Sequence, residues 1–354
     1  MKKVLAFTLA AVMMLSLAAC GSSGSTASTT AAPAATEAAT EAATEAATEA
    51  AAAEAPAAEA GDFTFDKTVN VYITHGAGGD TDYMARMLSQ ALEEELGVSV
   101  VCSNVTGSNG ATCMQQYKDG DTDGYTYICS NTAALNGNEA TGMVDFGYDA
   151  FEPVAIYGIQ SGENLVVPAS APYNTLGELI DATKAEPGKV KLGISTGGGV
   201  YIEACVLTNL GGAEFNIIDA GDAASRLTAL LGGEVDATSL PYSTCADYIE
   251  KGELKSLCTL LSKPPTLLPD QEAASATIPE LIIDTEYVML APKGTDAAAV
   301  KAMNDAILKV TSTEDWKQKC NDYSFQDPFV LNLDDTIENL KSQRELFTSF
   351  KDFL

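Results

Sequence analysis

The residues best placed to do chemistry form one run, Val69-Asn70-Val71-Tyr72-Ile73-Thr74-His75-Gly76-Ala77-Gly78-Gly79-Asp80-Thr81-Asp82-Tyr83-Met84-Ala85-Arg86. The chemistry is that of holding an anion. Val69, Val71 and Ile73 alternate with Asn70 and Tyr72 and read as a strand. Gly76, Gly78 and Gly79 permit a tight turn and let the main chain approach a solute closely. Tyr83, Met84, Met87, Leu88 and Leu92 then recur at helical spacing, with Asp80 or Thr81 available as the cap. Strand, turn and helix start leave several N–H groups aimed into one opening, with the positive end of the helix dipole behind them. Such a place suits a carboxylate. An ordinary glycine-rich βα turn has the same local pattern, and the two readings stand side by side at this point.

Other chemistries find little support. The turn is not the dinucleotide fingerprint and the chain has no Gly-Lys-Ser/Thr, so no phosphate-bearing cofactor is expected. Eight cysteines and one histidine are present. Setting Cys20 aside leaves Cys102, Cys113, Cys129, Cys205, Cys245, Cys258 and Cys320, an odd number with no Cys-x-x-Cys, which argues against a zinc site. Cys129 and Cys258 sit in apolar runs and read as core thiols. His75 has no nucleophile or metal partner near it in the sequence, so neither catalytic nor metal-ligating residues are assigned and no enzyme is expected. A secreted lipoprotein enzyme and an adhesive or structural surface protein are the rival readings.

The elements that must position the turn are legible along the chain. Val98 to Cys102 and Tyr125 to Cys129 read as further strands, so that strand ends at Thr74, Asn104 and Ser130-Asn131 converge on one rim, where open α/β sheets bind ligands. Phe151 to Tyr157 and Asn164 to Pro168 are extended. Thr175 caps a helix that Glu178 closes as a capping box. The opening logic then recurs in Val190-Lys191-Leu192-Gly193-Ile194-Ser195-Thr196-Gly197-Gly198-Gly199, a strand running into glycines and a helix. Thr285 to Pro292 reads as a strand returning to the first half. Two glycine-lined helix starts, one in each half, suit a ligand held between two lobes.

Lys2 and Lys3 followed by an apolar run to Leu17 read as a signal peptide. Residues 20–61 are rich in Ala, Thr and Glu, with Glu37, Glu41, Glu45 and Glu49 at like-charged helical spacing, and form a tether. Removing the two lysines and six tether glutamates from the chain's −29 leaves −25 for residues 62–354, which argues against nucleic acid and anionic membrane surfaces as partners.

The run Leu17-Ala18-Ala19-Cys20-Gly21 resembles the lipobox of bacterial lipoproteins, which implies cleavage after residue 19 and lipid on Cys20. From residue 66 onward the chain resembles the solute receptors of tripartite tricarboxylate transporters. The resemblance rests on Gly78-Gly79 with Asp82 and Arg86, Asn104 with Gly107 and Gly110, and Asp123-Gly124-Tyr125-Thr126. It continues through Phe151-x-Pro153-Val154, Ser195-x-Gly197-x-Gly199, Leu230-x-Gly232-Gly233-x-Val235-Asp236, Gly252-x-Leu254-x-x-Leu257 and Ala291-Pro292-x-Gly294-Thr295.

It implies a two-lobed, periplasmic-binding-protein-like clamshell, each lobe a mainly parallel sheet flanked by helices, with residues 62–163 and 287–354 in lobe 1 and 164–286 in lobe 2. It implies an extracytoplasmic receptor, lipid-anchored to the cell membrane, that hands a small carboxylate or amino-acid-like solute to integral membrane subunits. The ligand-binding residues are then expected to be Thr74, His75, Gly78, Gly79, Ser130, Asn131, Ser195, Thr196, Gly197, Gly199 and Asp219, with Asp82 capping the helix or bracing the turn. Two departures stand out: Thr74-His75 replaces the usual Pro-Phe, and Ile217-Ile218-Asp219-Ala220-Gly221 replaces Val-Pro-Tyr-Lys-Gly. Asp219 then either faces the cleft and favours an amino-bearing ligand or caps the helix starting near Ala223.

Overall fold

The computed structural model describes residues 63–354; the signal peptide, Cys20 and the tether lie outside the described residues. Alternating side chains build the first sheet. Its strands are β1 (Val69–Ile73), β2 (Val100–Asn104), β3 (Thr126–Asn131), β4 (Phe151–Ile159) and β10 (Glu286–Pro292), in the order β2-β1-β3-β10-β4. Tyr127 and Cys129 of β3 face one core while Ile128 faces the other; Met289 and Leu290 of β10 divide in the same way, as a period of two requires. On the first face lie α1 (Asp80–Leu96), α8 (Ala297–Thr311) and α9 (Glu314–Ser324); on the second lie α2 (Ala111–Tyr117), α3 (Thr132–Ala140) and α10 (Leu333–Ser349). Register sets Ile73 against both Asn104 and Cys129, so the first three strands end at one rim.

The second sheet comprises β5 (Glu163–Pro168), β6 (Lys191–Ile194), β7 (Asn216–Asp219), β8 (Ala237–Pro241) and β9 (Leu254–Thr259), in the order β7-β6-β8-β5-β9. It is packed by α4 (Leu176–Ala185), α5 (Gly198–Asn209), α6 (Ala223–Leu231) and α7 (Tyr242–Glu250), with Leu165 and Val167 on one face and Val166 on the other. Both sheets are mixed. In each, β1 or β6 pairs in parallel with two neighbours, while one inner strand, β10 or β5, runs against the strands beside it. That strand is the first laid down after the chain crosses from the other sheet, through Gln160-Ser161-Gly162 in one direction and residues 260–285 in the other. A chain that leaves one sheet at its rim and enters the next at the facing rim must run opposite to strands that end there, which is why four strands in each lobe share a direction and one does not.

The last helix belongs to both halves. Leu340 packs in the core of the first sheet, whereas Phe347 and Phe350 pack with Ile180, Leu207 and other residues of the second. Among the described residues no helix is long and apolar enough to cross a membrane, and all seven cysteines are free thiols.

Candidate functional site

The β1–α1 turn is held by its own chain. Asp82, in the first turn of α1 and 4% exposed, accepts from the Gly78 amide at 2.9 Å, from Arg86 Nε at 2.8 Å and from Asn104 Nδ2 at 2.7 Å. Asn104 also donates to the His75 carbonyl at 2.8 Å. The brace therefore joins β1, β2 and α1, and it uses up the Gly78 N–H that the sequence offers to a solute. The Gly79 amide turns back onto the Gly76 carbonyl at 3.3 Å. What remains are the amides of Asp80 and Thr81, the first two of α1, which have no acceptor among the described residues. Helix geometry cannot supply one.

No side chain caps α1: Gly79 is its N-cap, with φ −82°. Asp80 does not serve as a cap because its carboxylate is drawn away by Ser243 Oγ at 2.9 Å and Tyr323 Oη at 2.7 Å, both donating to Oδ1. Ser243 belongs to α7, so this contact ties the two lobes together. Burial pushes the Asp80 carboxyl up, against the pull of hydrogen bonds from Tyr323, Ser243, Gln160 and Tyr287.

The second glycine turn is built differently. Gly197, the N-cap of α5, has φ +81° and Gly198 has φ +69°, conformations that glycine adopts without strain. A β-carbon at Gly198 would lie 2.1 Å from Asn109 Nδ2, and one at Gly137 of α3 would lie 2.7 Å from the Gly198 Cα. The start of α5 is thus pressed directly against the first lobe. No side chain caps α5, and Gly199 and Val200 present its unpaired first-turn amides.

Between the turns lies a cavity of about 660 Å3. Thr74, His75, Gly78, Gly79, Asn131, Ser195, Thr196, Gly197, Gly199 and Asp219 all line it. Ser130 does not. It is fully buried behind Thr74, whose hydroxyl bridges Ser130 Oγ at 3.1 Å and His75 Nδ1 at 2.7 Å; as the last inward-facing residue of β3 it supports the wall from within. Burial lowers His75 to about 4, so the imidazole is neutral at neutral pH. Asn131 caps α3 by accepting from the Ala134 amide at 2.8 Å, and Ala133 and Ala134 reach the cavity.

Asp219 is exposed and accepts from Thr196 Oγ1 at 2.5 Å and the Gly221 amide at 3.1 Å. It does not cap α6; Asp222 does, accepting from the Ser225 amide at 2.8 Å. Among the further residues that line the cavity, four that carry polar or charged side chains are Asp80, Gln160, Glu163 and Arg226, none of them expected there from sequence. A signal existed for two of them, since Glu163 opens a strand that runs on into Leu165-Val166-Val167 and Arg226 interrupts the apolar face of α6. Arg226 is 4% exposed, donates to the Ser239 carbonyl at 3.1 Å and the Gly221 carbonyl at 3.0 Å, and lies 3.8 Å from Glu163 Oε2. Burial raises Glu163 to about 7, opposed by the Arg226 charge.

The first turns of α1, α3 and α5 all open onto this cavity, a concentration of outward N–H groups and positive dipole ends suited to a carboxylate. Among the described residues no group of three His, Cys, Asp or Glu side chains could hold a metal ion.

Known proteins share this architecture. A protein from R. palustris, Rpa4515, solved with adipate, superposes with a TM-score of 0.72 at 21% identity, covering 81% of this chain and 97% of that one. MatC of Rhodopseudomonas palustris, solved with bound malate, gives 0.70 at 19% identity over 81% and 98%. Protein BugT of Bordetella pertussis is 29% identical over 246 residues, 67% of this chain and 74% of its own. The sequence profile of the tripartite tricarboxylate transporter family receptor matches residues 84–344. That match spans most of the chain, which therefore belongs to the tripartite tricarboxylate transporter receptor family, a family of extracytoplasmic solute-binding receptors and not of enzymes.

Proposed function

We propose that this protein binds a small carboxylate-containing metabolite between its lobes and delivers it to integral membrane transporter subunits, while lipid on Cys20 holds it at the cell membrane. The observation that carries the reading is the convergence of three helix N-termini on one cavity, with the amides of Asp80, Thr81, Gly199 and Val200 left without internal acceptors. The carboxylate sits at the β1–α1 turn, against Asp80 N and Thr81 N, and Thr74, His75, Gly79 and Asn131 shape its surroundings. The far end of the solute meets Ser195, Thr196, Gly197, Gly199 and Asp219. We assign residues 62–163 with 287–354 to one half and 164–286 to the other; the two sheets differ from these bounds by one residue at each crossing, since Glu163 opens β5 and Glu286 opens β10. That malate and adipate occupy relatives of the same fold agrees with this ligand class.

Thermal-shift screening of the purified protein against small carboxylates tests the reading. A solute that binds only the folded state raises the melting temperature, the more so the further its concentration exceeds its Kd. A panel of mono-, di-, tri- and amino-carboxylates that leaves the melting temperature unmoved sinks it. The anchor is tested separately: Cys20→Ala should move the protein from the membrane to the soluble fraction.

A further inference from the structure

The cavity has a second pole, opposite in character to its amides. Gln160 opens the three-residue crossing between β4 and β5 and Glu163 follows it, and both residues line the cavity. Gln160 is 6% exposed, and its Oε1 accepts no hydrogen bond. Neither oxygen of Glu163 accepts one among the described residues, and its buried Oε2 has Arg226, at 3.8 Å, as its cationic neighbour. Arg226 spends its hydrogen bonds on two main-chain carbonyls instead. Leaving buried acceptors unpaired is costly, so a site that keeps them is shaped for a donor. Charge points the same way: the lining carries four carboxylates, Asp80, Glu163, Asp219 and Asp222, against the single guanidinium of Arg226, and it has no lysine.

We propose that the solute carries, besides its carboxylate, a protonated nitrogen that docks on Gln160 Oε1 and the Glu163 carboxylate, so that the receptor takes amino-carboxylates in preference to dicarboxylates. This rests on the reading of the amide-lined end as the carboxylate site. A zwitterion satisfies both poles at once: its anionic end meets helix N-termini, and its cationic end supplies donors to acceptors that otherwise have none. A dicarboxylate would place its second charge beside Glu163 and Asp222, where Arg226 is already neutralised in part. Asp219, bound to Thr196 and Gly221, contributes to the field of this wall; the contact belongs to Gln160 and Glu163.

Calorimetry on the purified full chain separates the outcomes. The probes are matched series of three to six carbons: α-amino and ω-amino monocarboxylates, dicarboxylates and plain monocarboxylates. The best amino-carboxylate should bind at least about tenfold more tightly than the dicarboxylate of equal length. Glu163→Gln and Gln160→Leu should each cut amino-carboxylate affinity by about tenfold or more while moving the other probes by less than about threefold.

The wild-type protein supplies a second readout that needs no variant. Glu163 titrates near neutrality among Arg226 of α6, Asp80 of α1, Glu203 of α5 and Cys245 of α7, so an incoming cation expels a proton from it and an incoming carboxylate draws one in. Comparing binding heats at pH 7 in buffers of different ionisation enthalpy gives the sign. Proton release with the best ligand supports the inference. A dicarboxylate that equals or beats its amino counterpart, or proton uptake on binding, overturns it while leaving the carboxylate receptor intact. If no carboxylate of any series binds, the receptor reading itself falls.

Discussion

The two glycine turns that face each other across the cavity look alike in sequence and are held by different means. The first is locked within its own lobe: Asp82, Arg86 and Asn104 interlock beneath it, and the bonds cross no lobe boundary. The second has no such brace. Gly197 and Gly198 owe their surroundings to Met143, Asn109 and Gly137 of the facing lobe. The first turn is thus held by contacts within its own lobe, whereas the second is packed against the facing lobe. A ligand that touches both turns favours the closed arrangement by the difference in its affinity for the two states.

The largest expected effect comes from breaking the second turn without touching the solute. Gly137→Ala adds a β-carbon 2.7 Å from the Gly198 Cα. Within an isolated helix that change is favourable by about 1 kcal/mol, so the protein should melt no lower than the wild type. It should nevertheless lose affinity by about 100-fold, because closure is what the new methyl obstructs. Scattering with and without saturating ligand checks this, and undiminished compaction on binding would show that the second turn does not depend on closure.

Next in size is Gly79→Val at the first turn. Gly79 has φ −82° and only the Gly76 carbonyl within 4 Å of an added β-carbon, at 3.4 Å, so the substitution crowds the solute and not the fold. A loss of about 30-fold in affinity is expected, with stability changed by less than about 1 kcal/mol. Unchanged calorimetric affinity would remove the carboxylate from this turn.

Asp82→Ala tests the brace. It strips three donors of their acceptor, and urea unfolding should report a loss of about 1–3 kcal/mol. Binding should weaken by about tenfold as the turn loosens. Loss of stability with binding intact would mean that the first turn needs no preorganisation.

The smallest effect concerns the second lobe alone. Glu203 of α5, 1% exposed and accepting from Ser239 Oγ at 2.7 Å, is raised by burial from 4.5 to about 8. A carboxyl whose folded value lies above its unfolded one binds more protons when folded, so its contribution is fully present below about pH 4.5 and is lost as pH rises toward 8. Glu203→Gln keeps the acceptor and removes the titration. Between pH 5 and pH 8 it should flatten the fall in stability seen in urea melts, and hydrogen exchange should show the change in α5 and β8 before it shows any in the first turn. An identical slope in wild type and variant would mean that Glu203 does not govern this lobe's response to pH.

Much of this was readable from residue order, for reasons the structure makes clear. β1, β3 and β10 alternate sides strictly, and glycines mark both turns, so strands and turns follow from local pattern, and ten of the eleven residues that the family resemblance singles out line the cavity. Ser130 was misplaced by a single step of the β-pleat: Asn131, one residue on, faces the cavity. Asp80 has the residue type and position of a helix cap, but partners 163 and 243 residues later in the chain claim its carboxylate. Glu163 and Arg226 are marked in the sequence only as charges in apolar surroundings, and Gln160 not at all, because local sequence does not say which way a side chain points relative to the other lobe. That depends on how the halves meet.

The two inner reversed strands also have opposite places in time. β5 is the first strand of its sheet to be synthesised, so the second sheet can pair around it from the contiguous stretch 163–259, although its core is completed only by later residues such as Phe347 and Phe350. β10 is the last of its own sheet, and until it emerges β3 and β4 have no common neighbour to join them. During synthesis the first lobe must therefore carry two unpaired inner edges for the whole length of the second, the kind of exposed strand edge that invites pairing with other chains. The sheet that carries the braced first turn is the one whose strand pairing has to wait.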